Sequence, residues 1–401
     1  MGGAEVKSLI KLVFVLAAIP FSASAADGAG GFATKAPRAY MIESTTNTVI
    51  LAKNENQIFA PASLSKLMTA DLVFDSVKSG ALSLDQEYPV SEFAWRTGGA
   101  PSRTATMFAA LKSKIRVDDL IKGVVIQGAN DACIALSEGM SGTEAAFAAA
   151  MTRRAKALDM TQSVFGNSTG LPDNGRSKTT AKDMVKLAAD LQQSYPDFYR
   201  YYALPDFTWN KISQRNRNPL LGLDAGVDGL VTGFAEGEGY SIVASASRND
   251  RRVILVLSGL ASDKERTEEA KRVLDWGLTN FETRQVFAAG EQVAEASVFG
   301  GQAGSVPLAT KDAVSVYLPS ANPDRLSAQV VYHWPLKAPV TKDTRAATLR
   351  IFAGGKALRE VPLFTGSAVE VGSLTDRAWD AVVELTESLL FSWLWDKPSS
   401  T

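Results

Sequence analysis

Apolar residues along the chain repeat with two periods, and the change from one to the other divides it. Over residues 63–191 the helical period dominates. Leu64, Leu67, Met68 and Leu72 fall on one face, as do Leu120, Ile121, Val124 and Val125. Ahead of that stretch, Tyr40-Met41-Ile42 and Val49-Ile50-Leu51 flank the polar Ser44-Thr45-Thr46-Asn47, which predicts a β-hairpin. Behind it, strand patterns return over residues 240–246 and 253–257, followed by a helix over about 263–278. Strands, then helices, then strands predict a mixed α/β layered domain. From Glu282 to about Val371 short alternating segments, such as residues 314–318 and 328–332, sit between Gly, Pro and Asn turns without a helix-length pattern. That is the pattern of a small all-β domain.

The two ends differ from both. Lys7 and Lys11, the apolar residues 12–19 and the small residues Ala23-Ser24-Ala25 read as an export signal cleaved near Ala26, and the apolar run is too short to span a bilayer. Near the C-terminus Trp379, Val382, Val383, Leu389, Leu390, Trp393 and Leu394 recur at helical spacing, with Asp380, Glu384 and Glu387 mostly off that face. Such an amphipathic helix suits a peripheral membrane contact, its tryptophans at headgroup level, although only Lys397 adds positive charge; docking on the protein itself is the alternative. The expected organisation is a signal at 1–25, an α/β domain at 38–281, a β domain at 282–375 and the amphipathic helix at 377–396.

With 401 residues, two cores are affordable. The charge is nearly balanced, 42 basic against 43 acidic residues, and no basic run is long enough for a nucleic-acid tract. A single cysteine, Cys133, excludes an intrachain disulfide, and a single histidine, His333, excludes a His-based metal cluster. His333 lies in the β region, where a packed side chain is a better expectation than a catalytic base.

A serine nucleophile in this chain therefore needs another proton acceptor. Lysine serves when burial and neighbouring positive charge lower its pKa. Ser63 and Lys66, in Pro61-Ala62-Ser63-Leu64-Ser65-Lys66, are spaced i, i+3 at a helix start, within reach of each other, with helix N–H groups pointing toward the serine. The spacing alone is weak: Ser8 and Lys11 repeat it inside the signal, where it can do no chemistry.

Context makes it specific. Residues Pro61 to Thr69 resemble the nucleophile motif of the low-molecular-mass penicillin-binding carboxypeptidases, serine-type D-alanyl-D-alanine carboxypeptidases. Gln127-Gly128-Ala129-Asn130-Asp131-Ala132 resembles the segment carrying their S-x-N motif, and Val227-Asp228-Gly229-Leu230 leads into their K-T-G strand, here Val231-Thr232-Gly233-Phe234. Phe207-Thr208-Trp209, Asn216-Arg217-Asn218, Gly239-Tyr240 and Phe281-Glu282-Thr283 extend the likeness over nearly the whole chain, from about Arg38. The resemblance implies a penicillin-binding, β-lactamase-like transpeptidase domain, followed by the all-β domain. The N-terminal signal makes it an exported, periplasmic enzyme. The C-terminal helix, if it binds membrane rather than docking on the protein, would attach it to the outer face of the cytoplasmic membrane. The enzyme would remove the terminal D-Ala from peptidoglycan stem peptides, with β-lactams as acylating ligands and no cofactor or metal. Ser63 would be the acyl nucleophile, Lys66 the general base and Asn130 a third catalytic group. Thr232, Gly233 and the backbone N–H of Phe234 would bind substrate, with Arg217 and Arg266 near the carboxylate. Two positions depart from the motifs: Gly128 stands for the S-x-N serine and Val231 for the K-T-G lysine. These leave open a carboxypeptidase of altered efficiency, a degenerate relative that binds cell-wall peptide or a protein partner, and a hydrolase for another substrate.

Overall fold

The computed structural model describes residues 10–15, 32–223, 226–321 and 325–374. The chain forms two compact units that divide between Phe281 and Glu282, residues 1–25 falling with the second.

The first unit is built on a five-stranded antiparallel sheet. Its strands are β1 (Arg38–Glu43), β2 (Thr48–Lys53), β3 (Val227–Ala235), β4 (Gly239–Arg248) and β5 (Arg251–Leu260), in the order β2-β1-β5-β4-β3. The central strand β5 puts Ile254 and Val256 on one face and Val253, Leu255 and Leu257 on the other, all buried. Burial on both faces explains its unbroken apolar run, because alternate side chains point to opposite sides. One face carries the helices α1 (Lys66–Lys78), α2 (Val117–Gln127), α3 (Asn130–Ser141), α4 (Glu144–Ala157) and α5 (Ala181–Ser194). The other is covered by α6 (Asp263–Thr279), through Ala270, Val273, Leu274 and Leu278. This is the mixed α/β layering that the sequence predicts.

Helix starts follow their capping residues. Thr143, Thr180 and Ser262 each accept a backbone N–H three residues on, at the heads of α4, α5 and α6. Helix α1 has no such cap and is entered through a 3-10 turn, Ala62–Ser65. It runs through the middle of the unit, so its first six residues are all buried and every polar one needs a partner. Thr69 donates to the Ser168 carbonyl at 2.7 Å, and Asp71 holds Arg154 through both oxygens at 2.7 and 3.3 Å. The sequence reading passed over two pairs of short strands in this unit. One pair, Asp206–Trp209 with Ile212–Arg215, precedes Arg217.

The second unit is all β among its described residues, with a core of Val306, Leu308, Val316, Leu318, Leu349, Ile351 and Leu363. Of the segment read as an export signal, Ile10–Val15 is described. It lies antiparallel to Leu326–His333, Ile10 opposite His333. His333, expected to be packed, is instead exposed: it ends its strand, where the outward face is solvated. The C-terminal helix expected over 377–396 lies outside the described residues. No helix among the described residues is long and apolar enough to cross a membrane.

Candidate active site

The 3-10 turn places Ser63 and Lys66 on one side of the chain, and Lys66 Nζ lies 3.0 Å from Ser63 Oγ. Its second partner is the Thr169 carbonyl, at 2.6 Å. Lys66 is 2% exposed. Removal from water disfavours the ammonium and brings the pKa down to about 8; the Arg217 charge acts in the same direction, against the opposing influence of Cys133. The thiol of Cys133 is itself pushed up to about 12 by burial. A lysine held near 8 is partly unprotonated at neutral pH and can accept the serine proton.

The surroundings keep this pair rigid. Ala62, just before the serine, has φ +48°, a left-handed conformation that costs a non-glycine residue free energy and that its neighbours must enforce. The neighbour is Gly170: a Cβ there would stand 1.7 Å from the Ala62 carbonyl oxygen. Asn167 folds the turn that brings Gly170 in. Its Oδ1 accepts from the Thr169 and Gly170 N–H groups at 3.2 and 2.6 Å, and its Nδ2 donates to the Leu171 carbonyl at 2.9 Å. The same turn aims the Thr169 carbonyl at Lys66. The sequence reading missed this segment; its trace is the run Asn167-Ser168-Thr169-Gly170, a turn signal between apolar stretches.

Helix α2 ends at Gly128, φ +63°, and Asn130 opens α3 two residues later. Asn130 is 3% exposed, and its Nδ2 donates to Thr104 Oγ1 at 3.0 Å. Its buried Oδ1 has no hydrogen-bond partner among the described residues. Asp131 fixes the facing loop by accepting from Thr106 Oγ1 and from the Met107 and Ala109 N–H groups, at 2.5, 3.0 and 3.0 Å.

Strand β3 forms the wall. A Cβ at Gly233 would lie 3.3 Å from Leu64 Cγ, so Thr232-Gly233 runs directly against the turn bearing Ser63. Val231 is partly buried against the helical core and adds no charge. Phe234 is 55% exposed, its ring 4.6 Å from that of Tyr240. Of the two arginines expected at the site, Arg217 is exposed and its stem lies over Gly128. Arg266 is buried, paired with Asp263 and set over the far ring, Tyr240, at 5.8 Å; its connection to the site runs through Phe234.

Residues 22–261 match the D-alanyl-D-alanine carboxypeptidase family, and residues 281–371 match the C-terminal domain of penicillin-binding protein 5. The chain belongs to the D-alanyl-D-alanine carboxypeptidase family. Among its relatives is the D-alanyl-D-alanine carboxypeptidase DacC of Escherichia coli, 34% identical over 360 residues, 89% of this chain and 90% of that one. The D-alanyl-D-alanine carboxypeptidase DacA of Haemophilus influenzae is 31% identical over 88% of this chain and 89% of its own. The crystal structure of penicillin-binding protein 5 from Haemophilus influenzae superposes with a TM-score of 0.72 at 30% identity, over 86% of this chain and all of the other. Family membership agrees with both units: the mixed α/β unit falls under the first match and the all-β unit under the second.

Proposed function

We propose that this chain is a serine D-alanyl-D-alanine carboxypeptidase acting on the stem peptides of peptidoglycan through a Ser63 acyl-enzyme. The observation that carries the reading is the buried Lys66 Nζ 3.0 Å from Ser63 Oγ, in a chain whose family and relatives bear that activity. Unprotonated Lys66 takes the Oγ proton as Oγ attacks the carbonyl of the penultimate D-Ala. The oxyanion meets the backbone N–H groups of Ser63 and Phe234. Collapse breaks the peptide bond, and Lys66 returns its proton to the departing D-Ala nitrogen. Water then attacks the ester, giving its proton to Lys66; collapse breaks the acyl C–Oγ bond, and Lys66 returns the proton to Ser63 Oγ as the shortened peptide leaves. Asn130 Oδ1 receives a substrate N–H, and Thr232 and Arg217 face the terminal carboxylate.

The two departures bear on rate. A hydrogen bond to a charged partner contributes roughly 1.5–3 kcal/mol, so losing a lysine contact at 231 corresponds to about 10- to 150-fold. Proton relay by the absent serine falls within general acid–base assistance, about 100- to 10,000-fold. Turnover should be slow for the family.

A β-lactam is the second ligand class; a solved relative, penicillin-binding protein D2 of Listeria monocytogenes, is described in an ampicillin-bound form. We place the processed chain outside the cytoplasmic membrane, held to its outer face by residues 377–396. Release of D-Ala from an acetylated Lys-D-Ala-D-Ala peptide, absent in Ser63→Ala, tests the activity. Penicillin acylation at Ser63 with no D-Ala release would favour a binding protein. Release from non-carboxylate esters alone would favour another substrate.

A further inference from the structure

Only one end of helix α1 has a part in the chemistry above. Nine and twelve residues past Lys66, about 14 and 18 Å along the helix axis, Asp75 and Lys78 stand exposed at a cavity of about 400 Å³ lined by α1, α4 and the end of α5. That volume is in the range of small-molecule sites, roughly 300–1,000 Å³, but the lining is charged and hydrogen-bonding where such sites are usually apolar. Its floor is fixed. Tyr195, 3% exposed, donates its hydroxyl to Asp75 Oδ1 and accepts from Arg154 Nη2, both at 2.9 Å. Arg154 also holds Asp190 at 3.0 Å and the buried Asp71 behind it at 2.7 Å, and Asp190 accepts from Ser194 Oγ at 2.9 Å. Two charges are left over. Lys122, Lys186, Lys264 and Lys271 each pair with an acidic residue three or four positions away on their own helix. Asp75 and Lys78 have that spacing, yet among the described residues neither makes an ion pair, with the other or elsewhere. Tyr195 draws one Asp75 oxygen its way, and Lys78 Nζ is held by the Ser194 carbonyl at 2.9 Å, 5.5 Å from the centre of the Tyr195 ring. One carboxylate oxygen and one ammonium therefore face the same cavity, kept apart by their neighbours.

A lone anion here would meet Asp75 and Asp190, and a lone cation would meet Lys78 and Arg154. A molecule carrying both charges satisfies both. We propose that this cavity is a second binding site, for a small zwitterionic amino acid whose ammonium sits on Asp75 Oδ2 and whose carboxylate sits on Lys78 Nζ. The site is separate from the Ser63 cleft and does not rest on the carboxypeptidase reading. The D-Ala that the proposed reaction releases belongs to the chemical class it would take.

Titration of the full chain with D-alanine to high millimolar concentration, followed through its backbone NMR signals, tests this. Two controls carry one charge each: D-alaninamide keeps the ammonium and propionate keeps the carboxylate. D-Alanine should move the signals of residues 75–79 and 190–195 saturably. It should bind there about 5-fold more tightly than either control, the upper end for an exposed ion pair. Asp75→Asn should bring D-alanine down to the affinity of propionate without weakening propionate. Lys78→Met should bring it down to that of D-alaninamide without weakening D-alaninamide. The probe that each variant still binds also shows that the cavity is intact. The proposal is overturned if no saturable shift appears at these residues, or if a single-charge control binds as tightly as D-alanine. It is equally overturned if the preference survives either substitution, or if either variant loses all three probes alike. Failure of the carboxypeptidase reading would show separately, as no acylation and no D-Ala release at Ser63.

Discussion

In the proposed mechanism Lys66 is the residue on which the chemistry turns, and burial is what lowers its pKa. With its pKa near 8, the unprotonated form grows as pH rises toward and past that value. The rate of Ser63 acylation should therefore climb with pH through about 8 and level off above it. Lys66→Arg, which cannot give up its proton at accessible pH, should lower acylation about 100- to 10,000-fold and remove that limb from the pH profile. A profile unchanged in Lys66→Arg would assign the base elsewhere. Gly170 offers a second test. Any Cβ there meets the Ala62 carbonyl, so Gly170→Ala should push the nucleophile turn out of place, slowing acylation and lowering thermal stability together. Val231→Lys adds a cation to the wall and should raise the affinity of carboxylate-bearing substrates.

At the scale of elements, helix α1 joins the site to the interior through Asp71. This carboxyl is fully buried, and its cation Arg154 is shared with Asp190 at 3.0 Å. Burial outweighs the pairing and raises the Asp71 pKa from 3.8 to about 7. Below about 3.8 the folded and unfolded chains are both protonated there; between about 3.8 and 7 the folded chain keeps a proton that the unfolded chain has lost. The stabilising contribution is thus present at low pH and lost as pH rises through about 7. Asp71→Asn lacks this slope. Relative to that variant, wild-type melting temperature should fall as pH is raised from 4 to 7; a pH-independent gap would contradict the assignment. Helices α1 and α2 were legible because their apolar periods are regular, and β5 because a strand buried on both faces reads as an unbroken apolar run. The three-residue strands Glu87–Pro89 and Lys114–Arg116 were not, since so short a segment shows no period.

For the molecule as a whole, the division near residue 281 was legible from the switch in apolar period, and the contact of Ser63 with Lys66 from their i, i+3 spacing. The turn at Asn167–Gly170 was not. Its contribution is a carbonyl and a missing Cβ, which leave no side-chain chemistry to recognise, and its partner Lys66 is about a hundred residues away. The placement of Arg217 over Gly128 likewise exists only once the chain is folded. Deleting residues 377–396 should release the protein from membrane fractions; equal partitioning of a less stable truncated chain would favour docking on the protein itself. The central claim is a nucleophilic Ser63 activated by Lys66, and prolonged exposure of the full chain to a fluorescent penicillin, followed by denaturation and peptide mass mapping, tests it most directly. The account predicts a single covalent label on the peptide containing Ser63, forming faster as pH approaches 8 and absent from Ser63→Ala. A folded chain that stays unlabelled, or a label on any other residue, would contradict it.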